Sequence, residues 1–450
     1  MEKRAYSKSV DRISQLPESV ISEILSRLPL EDAIDTCFLS RSWRHRWKDL
    51  QVFNFSAIPF KNQKGFLDKQ GHMRFLSLVN DILLHHRRAP VRKLTIRYVT
   101  SPGLDVDYAA LNAWVYAAIE SHLEELKLES SAGWNLMLPS RLFTCCTSLV
   151  NLELAACQID AEELTQVRFP SLKNLKLVFH NPNLITNILS GSPVLETLDL
   201  RVTTQLGVFK IHSPSLKRLY YFDSCSTRTE LLEINTPLLE YLTIRIYTSQ
   251  YRLISVCNSH NLLEANLDCY ADEDYVSYVP KLINSLCNVK SLVLHRYTRY
   301  CLVRATQFDL PEFRYLLNLE FVNMNFNARF LFRMLERCPM LQVLTVHGKS
   351  PLWASRHEWT QPTNVPYCLA SQLSIVNFKT YNGIKDDQEL IAYILQQGLA
   401  LKSISIGFAY VSINSEQGHR MINELWDLPK SSKMCQLYFN SYQDSIYGDT

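Results

Sequence analysis

The chain has 450 residues, 47% hydrophobic and 20% charged, and 47 Lys and Arg against 44 Asp and Glu give a formal net charge of +3. That composition fits a folded globular chain and excludes a disordered one. The near-balance of charge argues against a dedicated nucleic-acid binder, which carries a strongly basic domain, and the length allows about three ordinary domains unless repeats override it.

The opening MEKRAYSKSVDRIS has cations but no apolar core of the signal-peptide kind. No apolar run approaches a membrane span. The twelve cysteines include no Cys-x-x-Cys pair, and many lie in or beside apolar runs, as do Cys157 and Cys269. They are expected to be reduced core thiols, with no metal site and no cofactor, in the cytoplasm and/or nucleus and away from membranes.

The first element is a helix expected from about Pro17 to Leu28. Proline suits its first turn, Glu18 complements its positive end, and Pro29 blocks its continuation. Val20, Ile21, Ile24, Leu25 and Leu28 form one apolar stripe at three- and four-residue spacing. A second short helix over EDAIDTCFLS places Ala33, Ile34, Cys37 and Phe38 inward. A third helix, capped by Ser40, carries Trp43 and Trp47 on one face. Residues 1–50 hold nine Lys and Arg against eight Asp and Glu, so the cations of SWRHRW make no basic patch. The apolar positions exceed what a module of about forty residues needs for its own core, so some of them face a partner.

Residues 11–50 resemble an F-box, with LPESVISEILSRLP, Ala33, Cys37 and LSRSWRHRW at the spacing of that family. The resemblance implies docking to the Skp adaptor of an SCF-type ubiquitin ligase and, through it, to cullin. Leu16, Pro17, Ile21, Ile24, Leu25, Leu28, Pro29, Leu39, Ser40 and Trp43 match the positions that build or present that surface. Residues 51–90 read as a connector of strand, loop and helix, the helix in RFLSLVNDILLHH.

From 91 to 356 a unit L-x-x-L-x-L recurs. The clearest anchors are Leu149, Leu172, Leu195, Leu216, Leu239 and Leu262, at gaps of 23, 23, 21, 23 and 23 residues. Looser copies start at Val91, Leu123, Val289, Leu319, Leu341, Leu373 and Leu401, the last two beyond residue 356. A period of about 20–29 residues with this signature indicates leucine-rich repeats. Pro170, Pro193, Pro214, Pro237 and Pro339 each precede an anchor by two residues and end the preceding segment. The expected fold is α/β, a three-helix head followed by an irregular solenoid. Its curved parallel sheet has thirteen strands, ~58 Å along the edge at ~4.8 Å per interval, with outer helices or loops. The asparagine usual at the ninth position is replaced by Cys157, His180, Thr203, Ser224 and Tyr247, and only Asn327 fits.

Within each unit the third, fifth and seventh residues point to the concave face. Arg201, Arg218, Tyr220, Phe222, Tyr241 and Arg245 there make a candidate target-binding patch of the residue types that dominate hot spots. The competing expectation is a register slip at LYYF that buries one of the rings.

Residues 357–446 resemble the FBD region of plant F-box proteins, through EWTQPTNVPYCLASQLSIVNFKTYNG, QELIAYILQQGLALKSISI and MCQLYFN. The resemblance implies a continuation and cap of the repeat sheet. Leu390, Ile391, Ile394 and Leu395 have the spacing of an internal helix.

No motif for chemistry stands out. GKS at 348–350 lacks the glycine that a phosphate loop needs at 343, HEW at 357 lacks a second histidine, and DEDY at 272–275 has the wrong spacing for calcium. The chain is therefore expected to be a non-enzymatic receptor of an SCF-type ligase. The alternatives are an F-box scaffold acting outside ubiquitination and a small-ligand co-receptor.

Overall fold

The computed structural model describes residues 12–28, 30–62, 67–85, 90–98, 108–120, 122–130, 136–155, 157–158, 166–179, 182–203, 207–224, 229–247, 251–273, 276–305, 307–322, 328–348, 359–409 and 411–441. The chain divides into two compact units between Leu198 and Asp199, inside the strand Thr197–Val202.

The first unit opens with the helix Glu18–Ser26, shorter than expected because Arg27 and Leu28 end it by donating to the carbonyls of Ile24 and Leu25 in three-residue turns. A second helix, Leu30–Asp35, tightens into a 3-10 turn over Thr36–Phe38. The expected third α-helix is replaced by turns over 41–45 and a 3-10 helix, Arg46–Asp49. The bonds Trp43 N–H to Ser40 O, Arg46 N–H to Trp43 O and Lys48 N–H to His45 O all span three residues. Ser40 does not cap an α-helix; its hydroxyl meets that of Ser42 at 2.7 Å, and Ser42 donates to Ser14 at 3.1 Å.

After the head, Val52–Ser56 pairs in parallel with Lys93–Tyr98, which pairs with Glu125–Ser130, then Asn151–Ala155, then Asn174–Phe179. Leu50 lies two residues before the first of these strands, where Val91, Leu123, Leu149 and Leu172 lie before the others, and all five are buried. The connector, with its helix Lys69–His85, thus supplies a rung that the repeat signature missed, because LQVFNF puts phenylalanine where the signature has leucine.

In the second unit the parallel ladder runs Arg218–Asp223, Tyr241–Ile246, Glu264–Cys269, Ser291–Leu294, Asn318–Phe321, Val343–His347, Ile375–Tyr381, Ser403–Phe408 and Gln436–Ser441. Fourth and sixth positions are buried, and in Tyr241–Ile246 and Thr197–Val202 their neighbours are not. One anchor moves: Leu319 pairs with Leu292, a fourth-position residue, so the tenth unit starts at buried Leu316. Asn327 is then no longer at the ninth position, and it lies outside the described residues.

The prolines act as turn formers. Leu172, Leu195, Leu239 and Leu341 donate to Phe169, Ser192, Thr236 and Cys338, closing four-residue turns with proline second, the position its fixed φ suits. Between these turns and the ladder, three returning segments are strands. Gly207–His212, Thr229–Asn235 and Tyr251–Cys257 form a separate parallel sheet. Its core joins the ladder through Tyr221 and Tyr251, whose hydroxyls lie 2.9 Å apart, with Tyr251 donating to buried Asp223. Later returns are helices, among them Tyr278–Ser285, Arg296–Arg304 and Ala328–Glu336.

The C-terminal part continues the sheet as expected. The helix Lys385–Gln397 lies between Ile375–Tyr381 and Ser403–Phe408 and buries Leu390, Ile391, Ile394 and Leu395. The helix Glu416–Trp426 precedes Gln436–Ser441, capped by the Ser415 hydroxyl accepting from Gly418 N–H at 3.0 Å.

Candidate functional site

The head divides its apolar residues between two faces. Ile21, Leu25, Leu30, Ala33, Trp43 and Leu50 are buried. The Trp43 indole N–H donates to Ser14 Oγ at 2.8 Å, which fixes the ring. The Arg46 guanidinium carbon lies 5.8 Å from the Trp43 ring centre and the Lys48 ammonium 5.6 Å from that of the half-buried Trp47, while Arg41 and Arg44 are exposed. The tryptophans of SWRHRW therefore close the head rather than stack on a ligand.

Of the residues proposed to build or present the adaptor surface, Ile21, Leu25 and Trp43 form the support, Leu16 and Ser40 are half-buried, and Pro17, Ile24, Leu28 and Leu39 face solvent. Pro29 lies outside the described residues. The most exposed large apolar side chain of the described head was expected inward: Phe38 is 84% exposed. The cause is the 3-10 turn at Thr36, where about three residues per turn replace 3.6 and rotate the following side chains away from the core. Val20, expected in a single buried stripe, is also exposed, as is Ile13. Two buried positions four residues apart, Ile21 and Leu25, serve the head's core, and the rest of the stripe is left uncovered.

On the ladder, LYYF does not slip. Arg218 pairs with Tyr241, Tyr220 with Thr243 and Phe222 with Arg245, so Tyr221 alone enters the core. Tyr220 is exposed, and Arg201, Arg218, Phe222, Tyr241 and Arg245 are half-buried. All six lie on the sheet face away from the core. Arg201 lies over Phe222, at 5.8 Å from guanidinium carbon to ring centre, and Arg218 over Tyr241 at 5.1 Å.

Further aromatics extend this surface, and the repeat signature did not single them out as a group. Tyr247, Tyr270 and Tyr297 occupy successive ninth positions; Phe222 meets Tyr247 at 5.5 Å, and Tyr297 meets Tyr247 at 5.8 Å and Tyr270 at 5.5 Å, all edge-on. Tyr247 donates to Asp268 at 3.2 Å. Burial raises the Asp268 carboxyl above its ordinary value, against the hydrogen bonds from Tyr247 and the Tyr297 N–H. His295 is pushed down to about 4 by burial and by Arg245, and is therefore neutral at pH 7.

Among the described residues no group of three His, Cys, Asp or Glu is placed to hold a metal ion, and no helix is long and apolar enough to cross a membrane. Ten of the described cysteines are free, and six of these are buried. Burial pushes the thiols of Cys146 and Cys301 up to about 11 and that of Cys368 to about 12, away from nucleophilic character. Gly348 belongs to the sheet: its N–H donates to Lys379 O at 2.7 Å, and a Cβ would stand 2.6 Å from Thr380 O.

Three family models match the chain in order. An F-box domain covers residues 13–55, the LRR repeats of FBD-associated F-box protein At5g56370 cover 111–266, and FBD covers 361–406. An F-box/FBD/LRR-repeat protein of Arabidopsis thaliana is 30% identical over 454 residues, spanning 95% of this chain and 93% of the relative. An FBD-associated F-box protein of the same plant is 28% identical over 458 residues, spanning 96% and 100%. A probable FBD-associated F-box protein, also from Arabidopsis thaliana, is 29% identical over 470 residues, spanning 96% and 100%. The three matches fall in turn on the small helical head, on the parallel ladder built on L-x-x-L-x-L and on its C-terminal continuation, and the chain belongs to the plant F-box/FBD/LRR-repeat family.

Proposed function

We propose that this chain is the target-recognition subunit of an SCF-type ubiquitin ligase. Residues 11–50 dock the Skp-type adaptor and through it cullin, 51–90 begin the sheet, 91–356 carry the target surface and 357–446 continue and close it. The chain supplies binding and position; the ubiquitin-transfer chemistry belongs to other subunits.

The observation that carries the reading is the split of the head into a finished core and an uncovered apolar ridge. Phe38 and Leu39 are 84% and 68% exposed although Ile21, Leu25 and Trp43 below are 4% exposed or less. Exposed apolar side chains this numerous on so small a module fit a protein-binding site. Leu16 and Pro17 lead into the helix that bears Ile24, and Leu28 follows its end.

The test is adaptor capture by the full chain and by a Leu16→Ala/Pro17→Ala double variant. Wild type should retain the adaptor through an increase from 50 to 300 mM salt, since the contact is apolar rather than ionic. The double variant should lose it while keeping its melting temperature. Retention by the double variant overturns the head assignment. Loss of the adaptor without any change in the half-life of captured proteins favours a scaffold outside ubiquitination.

A further inference from the structure

The two units treat charge on their sheet faces differently. In the first unit the face is neutralised internally: Lys93 pairs with Glu125 at 3.0 Å, Lys127 with Glu129 at 2.8 Å and Glu153 at 3.0 Å, and Lys176 with Glu153 at 3.1 Å. In the second unit Lys379 is likewise taken by Glu320, at 2.8 Å. Glu320 is held down at about 2 by His347 and Lys379.

Arg201, Arg218 and Arg245 depart from that rule. Among the described residues none of them has a carboxylate at ion-pair distance. Arg201 and Arg218 lie over rings instead. A guanidinium stacked on a ring keeps its N–H edge available, and that edge matches the two oxygens of a carboxylate. Arg245 has a buried Nε with no hydrogen-bond partner. Its neighbour across the ladder, Asp268, feels the Arg245 charge without coming to ion-pair distance, and its oxygens accept instead from Tyr247 at 3.2 Å and from the Tyr297 N–H at 3.4 Å.

We propose that this face takes an acidic, extended segment of the target protein, with carboxylates on Arg201 and Arg245 and apolar groups against Phe222 and Tyr220. The inference rests on the reading of this face as the capture surface and adds the charge and spacing of what it captures. Arg245 is in register with Phe222, and Arg201 lies over the same ring from the other side. Two strand spacings separate the backbones that carry the arginines by ~9.6 Å. An extended polyproline-type chain presents every third side chain on one side at ~9.3 Å. Acid-x-x-acid is therefore the spacing that fits, with the main chain of the intervening residues crossing Phe222.

The probe is a fluorescein-labelled nine-residue peptide of three Glu-Leu-Pro repeats, titrated by anisotropy against the full chain bound to its adaptor. Two further peptides carry Gln, or phosphoserine, in place of Glu. The Glu peptide should bind, the Gln peptide at least tenfold more weakly, and Arg201→Gln and Arg245→Gln should each weaken the Glu peptide about tenfold with melting temperature and adaptor binding unchanged. No binding of the Glu peptide, equal binding of the Gln peptide, or indifference to both arginine changes overturns the proposal. Binding of the phosphoserine peptide alone overturns the carboxylate as the source of the anion. Cellular target capture separates this inference from the reading beneath it. If Tyr220→Ala/Tyr241→Ala loses the target while Arg201→Gln/Arg245→Gln keeps it, the surface stands and the acidic segment falls. If both variants keep the target, the surface itself is elsewhere.

Discussion

Phe38→Ala separates docking from folding more cleanly than other single changes in the head. The ring is 84% exposed, so truncation removes little that the free chain uses, and such surface changes usually stay within about 0.5 kcal/mol of stability. An adaptor that covers the ring takes most of it out of water. Aromatic side chains bury about 150–250 Å². Taking about 120–160 Å² as the part lost on truncation, at ~25 cal/mol per Å², gives about 3–4 kcal/mol. Ordering the side chain at the interface offsets about 1 kcal/mol of that. Phe38→Ala should then weaken adaptor binding by about 2–3 kcal/mol, roughly 30- to 150-fold in Kd. Calorimetric titration of the purified full chain with a recombinant Skp-type adaptor measures this, with thermal denaturation in parallel. Ile21→Ala is the contrasting change: at 1% exposure it should cost about 2–5 kcal/mol of folding stability. An unchanged Kd for Phe38→Ala, or a melting temperature lowered as far as that of Ile21→Ala, would refute the division of the head into core and ridge.

Two other changes probe the body. His295 has its pKa pushed from 6.5 to about 4 by burial and by Arg245, with His347 lowering it further and Glu320 opposing. The folded value lies below the unfolded one, so its contribution is complete above pH ~6.5 and is lost as pH falls towards 4, at most about 3 kcal/mol at ~1.36 kcal/mol per pH unit. The urea midpoint of wild type should fall more between pH 7 and 4 than that of His295→Gln; parallel decline in the two chains would show that His295 does not govern it. Ending the chain after Gly348 removes the parallel partner of Val343–His347 and opens the core around Leu344 and Val346, both fully buried. The truncated chain should be insoluble or melt without cooperativity, and a soluble fragment with a sharp transition would show that the C-terminal region is no cap.

What was legible in the sequence follows from the length scale of each signal. The strand anchors were readable because a leucine at each of Leu149, Leu172, Leu195, Leu216, Leu239 and Leu262 enters the same kind of buried position, and an alternating strand declares its inner face. Leu316 was missed for a local reason: LLNLEF offers Leu316 and Leu319 as starts, and only pairing with Leu292 chooses between them. The outer strands Gly207–His212, Thr229–Asn235 and Tyr251–Cys257 escaped because their six or seven residues are stabilised by one another across repeats. In the head, helical periodicity identified Ile21 and Leu25 correctly. It misplaced Phe38, since spacing alone does not register a change from 3.6 to three residues per turn.

The ninth position shows how the repeat tolerates losing its characteristic residue. A polar side chain there ordinarily serves backbone groups where the chain leaves the strand, and buried backbone groups need partners whatever side chain is present. In the second unit the main chain supplies much of this bonding. The N–H groups of Tyr247, Tyr270, His295 and Val322 donate to the carbonyls of Asp223, Ile246, Leu267 and Leu294 on the preceding strand. Where the ladder leaves a gap, the following helix fills it: Thr298 Oγ accepts from the Cys269 N–H at 2.8 Å, and the Asp268 carboxylate accepts from the Tyr297 N–H at 3.4 Å. With the backbone satisfied from these sources, Tyr247, Tyr270 and Tyr297 need not point inward, and their rings pack edge-on at the rim instead. Substituting asparagine for Tyr247 should therefore leave the backbone bonding intact while removing the ring that abuts Phe222 and its hydrogen bond to Asp268. The loss of the asparagine signature and the gain of an aromatic surface beside Arg245 are two consequences of one rearrangement.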